Sequence, residues 1–282
     1  MTFAVPNQEN HTMITTAPPS TPVPAPPSRS SRSAWIVAGS VFCVLSLAYG
    51  VYAVVDLLSF GRDHYQRTFT EAVTTVEIHN GAGSVRVEGT SGNEIAIDAS
   101  IRRGLRKPSH TESITGSRLV LNANCPSMFT NTCNLNYAVR VPAGIAVVIR
   151  SDGGGVRLSD LTGNVDASSS GGSVNVARMS GTLRLRSSGG GIGGEGLRSA
   201  EVDASSSGGG VKLAFAAAPT SVAVDSSGGG VTVELPTTTD SYQLRVSSSG
   251  GSVSTPVRSD PASPRIIDAH SSGGGVTVRY PS

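Results

Sequence analysis

Large side chains are scarce in this chain: six Phe, six Tyr and one Trp make aromatics only 5% of its 282 residues. A core built on aromatic rings is hard to fill from that stock, so small β-branched residues must do the burying. Charge is scarce as well. Asp, Glu, Lys and Arg make up 15%, and a formal net charge of +2 leaves no electrostatic footprint for nucleic acid. The histidines His11, His64, His79, His110 and His270 are not paired at ligand spacing, which removes a recognisable metal motif. Neither a GxSxG elbow nor a GxxxxGK phosphate loop occurs. A calcium-binding nonapeptide array would need Asp two residues after the paired glycines described below, where this chain has Val, Ile or Gly. No cofactor and no metal are expected, and the chain reads as non-enzymatic.

What is present divides by composition. Residues 1–33, including "APPSTPVPAPPSRSSRS", are rich in Pro, Ser and Thr and too poor in apolar side chains to offset the entropy of ordering, so a disordered tail is expected. Residues 34–55, "AWIVAGSVFCVLSLAYGVYAVV", carry no charge. As a helix they would span about 33 Å, the thickness of a bilayer core, and they read as one transmembrane helix. A cleaved signal peptide could use Ala48 and Gly50, but the apolar run continues to Val55, which favours an uncleaved anchor. Residues 56–69 read as a juxtamembrane linker.

Arg29 and Arg32 before the helix are balanced by Arg62 and Arg67 after it, so charge leaves the orientation tied. Cysteines bear on the question. Cys43 lies inside the apolar run, whereas Cys125 and Cys133, in "NCPSMFTNTCN", are close enough to close a small loop. A disulfide there persists in oxidising compartments and would put the C-terminal region outside the cytosol, with the N-terminus inside. Two free thiols are the alternative.

The main feature is a repeat. A serine-glycine stretch returns seven times, each time followed by a β-branched residue: Val156, Val174, Ile192, Val211, Val231, Val253 and Val276, at spacings of 18, 18, 19, 20, 22 and 23. Nine and seven positions before each of these the residue is always apolar, as in Val165 with Ala167 or Leu183 with Leu185. Such alternation predicts a strand with one buried face, and a second short strand follows the glycines. Paired glycines stand between the two strands: Gly153 and Gly154, Gly171 and Gly172, Gly189 and Gly190, Gly208 and Gly209, Gly228 and Gly229, Gly250 and Gly251, Gly273 and Gly274. They predict a corner that needs positive φ or close backbone approach. Two positions before each pair is a serine (Ser151, Ser169, Ser187, Ser206, Ser226, Ser248, Ser271), expected to point inward and bond to its counterparts in a ladder.

The outward position eight before the reference residue reads Val148, Asp166, Arg184, Asp203, Ala223, Arg245, Asp268. In a parallel stack with about 4.8 Å between neighbours, opposite charges would pair and like charges would not meet. The fold class expected is all-β: a single-stranded parallel β-solenoid of roughly seven coils over residues 145–282. Residues 70–144 would form an irregular β cap that carries the cysteine loop and a degraded copy, "VEIHNGAGSVRVEG", with Val85 as its reference residue. The final "GGGVTVRYPS" would place Arg279 and Pro281 on the terminal edge, where they discourage end-to-end stacking.

The order of "VEIHNGAGSVRVEG", "YAVRVPAGIAVVIRSDGGGVRL" and repeated "VDASSSGGSVNV" units resembles the DUF4097 family of bacterial β-strand-repeat domains, labelled as candidate adhesins. The likeness covers about residues 70–282, is specific for architecture and carries no agreed catalytic motif. It implies an envelope-facing solenoid, in some members associated with envelope-stress systems. The leading functional expectation is therefore a membrane-anchored interaction or adhesin-like module whose partner is a protein or a cell-envelope polymer, with no role for nucleic acid. The alternatives are an accessory of envelope-stress sensing and, less favoured, a carbohydrate-active enzyme built on Asp166, Arg184 and Asp203, or on Arg150 and Asp152.

Overall fold

The structure is a computed structural model that describes residues 29–58, 61–103, 109–125 and 134–281. The protein is mostly β, with two sheets rich in parallel pairs and one N-terminal helix. The helix, α1 (Arg29–Leu58), contains a 23-residue apolar span, Ser33–Val55, of mean hydropathy 1.9, long enough to cross a membrane and also suited to a signal sequence. It starts earlier than the apolar run because "RSSRS" holds no Gly or Pro, so a helix nucleated in that run propagates back through it. Residues 29–33 are thus helical, and the rest of the expected tail lies outside the described residues.

The strands are β1 (Gly61–Phe69), β2 (Thr75–Asn80), β3 (Val85–Thr90), β4 (Ile95–Arg103), β5 (Ser109–Thr115), β6 (Arg118–Asn124) and β7 (Asn134–Pro142), then β8 (Ala146–Ser151), β9 (Val156–Ser159), β10 (Val165–Ser169), β11 (Val174–Ala177), β12 (Leu183–Ser187), β13 (Ile192–Leu197) and β14 (Glu201–Ser206). They continue with β15 (Val211–Phe215), β16 (Ser221–Ser226), β17 (Val231–Glu234), β18 (Gln243–Ser248), β19 (Val253–Ser254), β20 (Ile266–Ser271) and β21 (Val276–Arg279). Sheet I runs β1-β4-β7-β3-β9-β11-β13-β15-β17-β21-β19, and sheet II runs β18-β20-β16-β14-β12-β10-β8-β2-β6-β5. From β8 to β17 successive strands alternate between the sheets. Each pairs in parallel with the strand two places on, so that Val147, Val165, Leu183, Val202 and Val222 form one column and Val156, Val174, Ile192, Val211 and Val231 another.

These columns are the core. Alternate residues of every regular strand are buried, and the inner faces meet through Val, Ile, Leu and Ala. Apolar burial at about 25 cal/mol per Å² is the main stabilising term here, distributed over many small side chains rather than a few rings. The largest fully buried side chains are Tyr137 on β7 and Tyr242 just before β18, near the two ends of the stack.

Three expectations are corrected. The segment 56–69 is not all linker: β1 pairs antiparallel with β4 over its full length and buries Phe69, which gives sheet I an edge strand. The degraded copy is a regular member of the stack, since β2 lies against β8 and β3 against β9, with Val85 opposite Val156; irregularity begins only at β4 and β5, whose pairings are antiparallel. The chain terminus is also not the stack terminus. β20 lies between β16 and β18, and β21 between β17 and β19, so Arg279 is interior to the sheet and bonds Glu234 at 2.6 Å while β18 and β19 form the edge. The β18–β19 copy has Thr255 where most copies have Val or Leu, and its second strand has only two residues. It gains least from two neighbours and takes the place that has one. Val253 accordingly remains 47% exposed.

Candidate functional site

The repeat builds two kinds of position: corners that hold the stack together and outward rows available to a partner. At the corners the glycines are needed for close approach. The fourteen paired glycines all avoid left-handed φ; among the described residues that region is occupied by Gly83, Gly116 and Gly196 and by two non-glycines. A Cβ on Gly172 would lie 2.5 Å from the Gly155 amide nitrogen, and one on Gly190 would lie 2.6 Å from that of Ser173. Backbone cannot yield to such contacts as a flexible side chain can. The same contacts pass from Gly228 to Gly273 and from Gly273 to Gly250, following spatial rather than chain order.

The serines do not form a ladder with one another. Ser187 Oγ reaches the Gly190 carbonyl at 2.8 Å and the Gly172 carbonyl of the neighbouring unit at 2.9 Å, and it accepts from the Gly190 amide at 3.1 Å. Ser169, Ser206, Ser226, Ser271 and Ser248 repeat parts of this pattern. At a corner the strand ladder is broken, and the hydroxyl satisfies backbone groups that would otherwise be buried without partners. Asn80 occupies this position in β2, opposite Ser151, and its amide donates to the carbonyls of Gly83 and Leu135.

At the opposite corner Asp160 (φ 61°), Arg178 (φ 52°) and Gly196 (φ 60°) share a left-handed conformation. The Arg178 guanidinium meets both Asp160 carboxylate oxygens at 2.6 Å, and it holds that carboxyl below the usual carboxylate range. Such a pair helps hold two non-glycine residues where glycine is favoured. On β2, His79 and then Arg118 hold the Glu77 carboxyl below that range too, at 2.8 and 3.0 Å. Between the two sheet edges at the N-terminal end, the Glu112 carboxylate, only 4% exposed, accepts from Tyr65 and Arg67.

On the outward face of sheet II, Arg184 stands 4.0 Å from Asp166 and 3.7 Å from Asp203, and Arg186 also lies 3.7 Å from Asp203. Arg245 and Asp268 are cross-strand neighbours, but Asp268 lies 2.8 Å from His270 Nε2 and the ion pairs of the described residues do not join it to Arg245. Sequence reasoning missed a second relation there. Ser247 Oγ is 2.5 Å from His270 Nδ1, so Ser247, His270 and Asp268 are linked across β18 and β20. The signal for it was the outward i, i+2 spacing of Asp268 and His270; the Ser247 contact depended on pairing β18 with β20. This trio stands on an outward sheet face, with His270 half exposed. Asp152 is exposed at a corner, and its amide donates to Asn80. Cys125 is disulfide-bonded and Cys43 is a free thiol on α1; Cys133 lies outside the described residues. Groups of three or more His, Cys, Asp or Glu able to hold a metal ion are absent among the described residues.

No family model matches the chain, and no curated protein matches it. Among solved structures, it is similar to a candidate cell adhesion protein from Clostridium sporogenes, at 11% identity and a TM-score of 0.40, over 78% of this chain and all of that one. A candidate adhesin from Bacteroides fragilis matches at 16% identity and a TM-score of 0.37, over 77% of this chain and 97% of that one. A candidate lipid-binding protein from Parabacteroides distasonis matches at 12% and 0.31, over 76% and 96%. Likeness at this level carries no weight for function, which must rest on the chain's own residues.

Proposed function

We propose that the chain is a single-pass membrane protein whose residues 75–281 form a two-sided β-solenoid that acts, without catalysis, as an interaction or adhesin-like module outside the cytosol. The observation that carries this reading is the pair of broad outward sheet faces, built by repetition, that display rows of polar and charged side chains in fixed register. A repeated flat surface suits an extended partner better than a small substrate, which needs a concave site. The apolar span Ser33–Val55 supports the anchor, and the disulfide at Cys125, proposed to pair with Cys133, supports an oxidising location.

The test is chemical labelling in intact cells. A Ser282→Cys variant in a Cys43→Ser background keeps the disulfide and adds one thiol, which a membrane-impermeant maleimide should label without permeabilisation. Labelling only after permeabilisation would overturn both the location and the adhesin-like role.

A further inference from the structure

We infer that the outward face of sheet I binds a carboxylate-bearing polysaccharide, with Arg86 and Arg157 as its principal contacts. This assignment rests on the extracytoplasmic interaction role proposed above and names its partner class. Arg86 on β3 and Arg157 on β9 are direct cross-strand neighbours, both outward and exposed. Like charges directly opposite one another destabilise a sheet, and among the described residues neither arginine has a carboxylate partner. At three other places an arginine is offset within the protein: Arg184 lies between Asp166 and Asp203, Arg178 grips Asp160, and Arg279 grips Glu234. An unoffset arginine pair in a chain this sparing with charge marks a place where an external anion supplies the missing partner.

The rest of the row fits a sugar chain. Beyond Arg157 the outward positions are Asn175, Gly193, Lys212 and Thr232, with no carboxylate among them. A groove of about 330 Å³ lies here, lined by Arg86, Arg157, Ser159, Asn175, Gly193 and Glu195, and Arg86 also borders a second hollow of about 420 Å³ with Arg140. Gly193 keeps the floor low because it carries no side chain at that outward position. Of the acidic groups nearby, Glu88 lies opposite Arg140 in the strand register, and Asp98 accepts from Gln66 at 3.0 Å. Glu195 stands between Ala177 and the strand β15 and offers an acceptor for hydroxyls.

Forked guanidinium groups match planar carboxylates two bonds at a time, and the neutral amide and hydroxyl groups match sugar hydroxyls better than a chain of phosphates. Neighbouring strands are about 4.8 Å apart, close to the length of one pyranose unit, so successive sugars can meet successive strands.

The experiment uses the full chain in detergent with polygalacturonate as the probe, and neutral dextran and inorganic polyphosphate as comparators. Wild-type protein should bind polygalacturonate in a salt-sensitive manner and leave dextran unbound. Arg86→Ser with Arg157→Ser should weaken binding about tenfold or more, and the paired Lys substitutions should restore only part of it, because charge returns without the fork. Arg184→Ser with Arg186→Ser removes the same charge from sheet II and should change affinity by about twofold or less. Folding is checked by thermal melting, and removal of the like-charge pair should not lower Tm. Absence of polygalacturonate binding, equal loss in the two double variants, or tighter binding of polyphosphate would each overturn the assignment. Surface labelling of Ser282→Cys with no polygalacturonate binding would remove this inference alone; labelling only after permeabilisation would remove the role on which it rests.

Discussion

The middle of the stack and its two ends follow different rules. From β8 to β17 chain order and spatial order coincide, links between successive units are short, and the inward columns carry apolar side chains except at Gly194 of β13. At the C-terminal end the chain passes β17, builds the outermost unit β18–β19, and returns to insert β20–β21 beneath it. At the N-terminal end β2–β3 lies against β8–β9, with β6–β7 outside it and antiparallel β1, β4 and β5 along the edges. The repeat therefore specifies which residues stack, and not which copy follows which. A copy with the same columns can pair with any other, and the end position falls to the copy that loses least by having one neighbour. Residues 235–242 and 255–265, the links on either side of β18–β19, are long enough to allow it.

The strongest test of that difference is all or none. Thr232 and Thr277 are outward neighbours on β17 and β21, so a Thr232→Cys, Thr277→Cys protein should form a disulfide on mild oxidation, detected by a gel shift. Thr232→Cys with Ser254→Cys should not, because β21 stands between them; the reverse outcome would restore sequential stacking. Glycine substitution should separate the regions next. Gly172→Ala places a methyl against fixed backbone on an interior unit and is expected to cost more than about 3 kcal/mol by chemical denaturation. Gly251→Ala would meet the Gly275 amide nitrogen, but its unit can move outward, so it should cost clearly less. Gly92→Ala, with 3.8 Å to the nearest side-chain atom, is the near-neutral control.

A core truncation sharpens the same contrast. Leu185→Ala in the filled column should cost about 2 to 5 kcal/mol, whereas Leu244→Ala, on partly buried β18, should cost about 1 kcal/mol or less. The smallest effect concerns pH. Glu77 and Asp160 have folded pKa values below their unfolded ones, so their contribution is present above the unfolded value of about 4 and is lost as pH falls through the lower folded value. Tm should fall on acidification, and Glu77→Gln with Asp160→Asn should flatten that fall slightly; an unchanged acid slope would show that these pairs do not contribute.

Much of the β region was legible because its signals are local and repeated. Alternation identifies the buried face of strands such as β10 and β12, and the glycine pairs mark each corner. The reason for those glycines was not legible, since close approach depends on a neighbour in space. Nor was the serine bonding, because the alternation shows that Ser187 points inward without showing that Gly172 and Gly190 carbonyls await it. Strand β1 escaped notice because an edge strand alternates weakly, and the Ser247, His270 and Asp268 contact escaped because it depends on how the side chains turn toward one another across β18 and β20, a pairing that chain order already predicts.

The sequence by itself determined the strand faces, the corners and the register, because side-chain alternation and the absence of a Cβ act within one repeat. Tertiary structure alone decided the order of units at the ends, the partners of the corner serines and the juxtaposition of Arg86 with Arg157. These depend on which copies meet across the stack, and nearly equivalent copies leave that choice to burial and to the reach of the connecting loops.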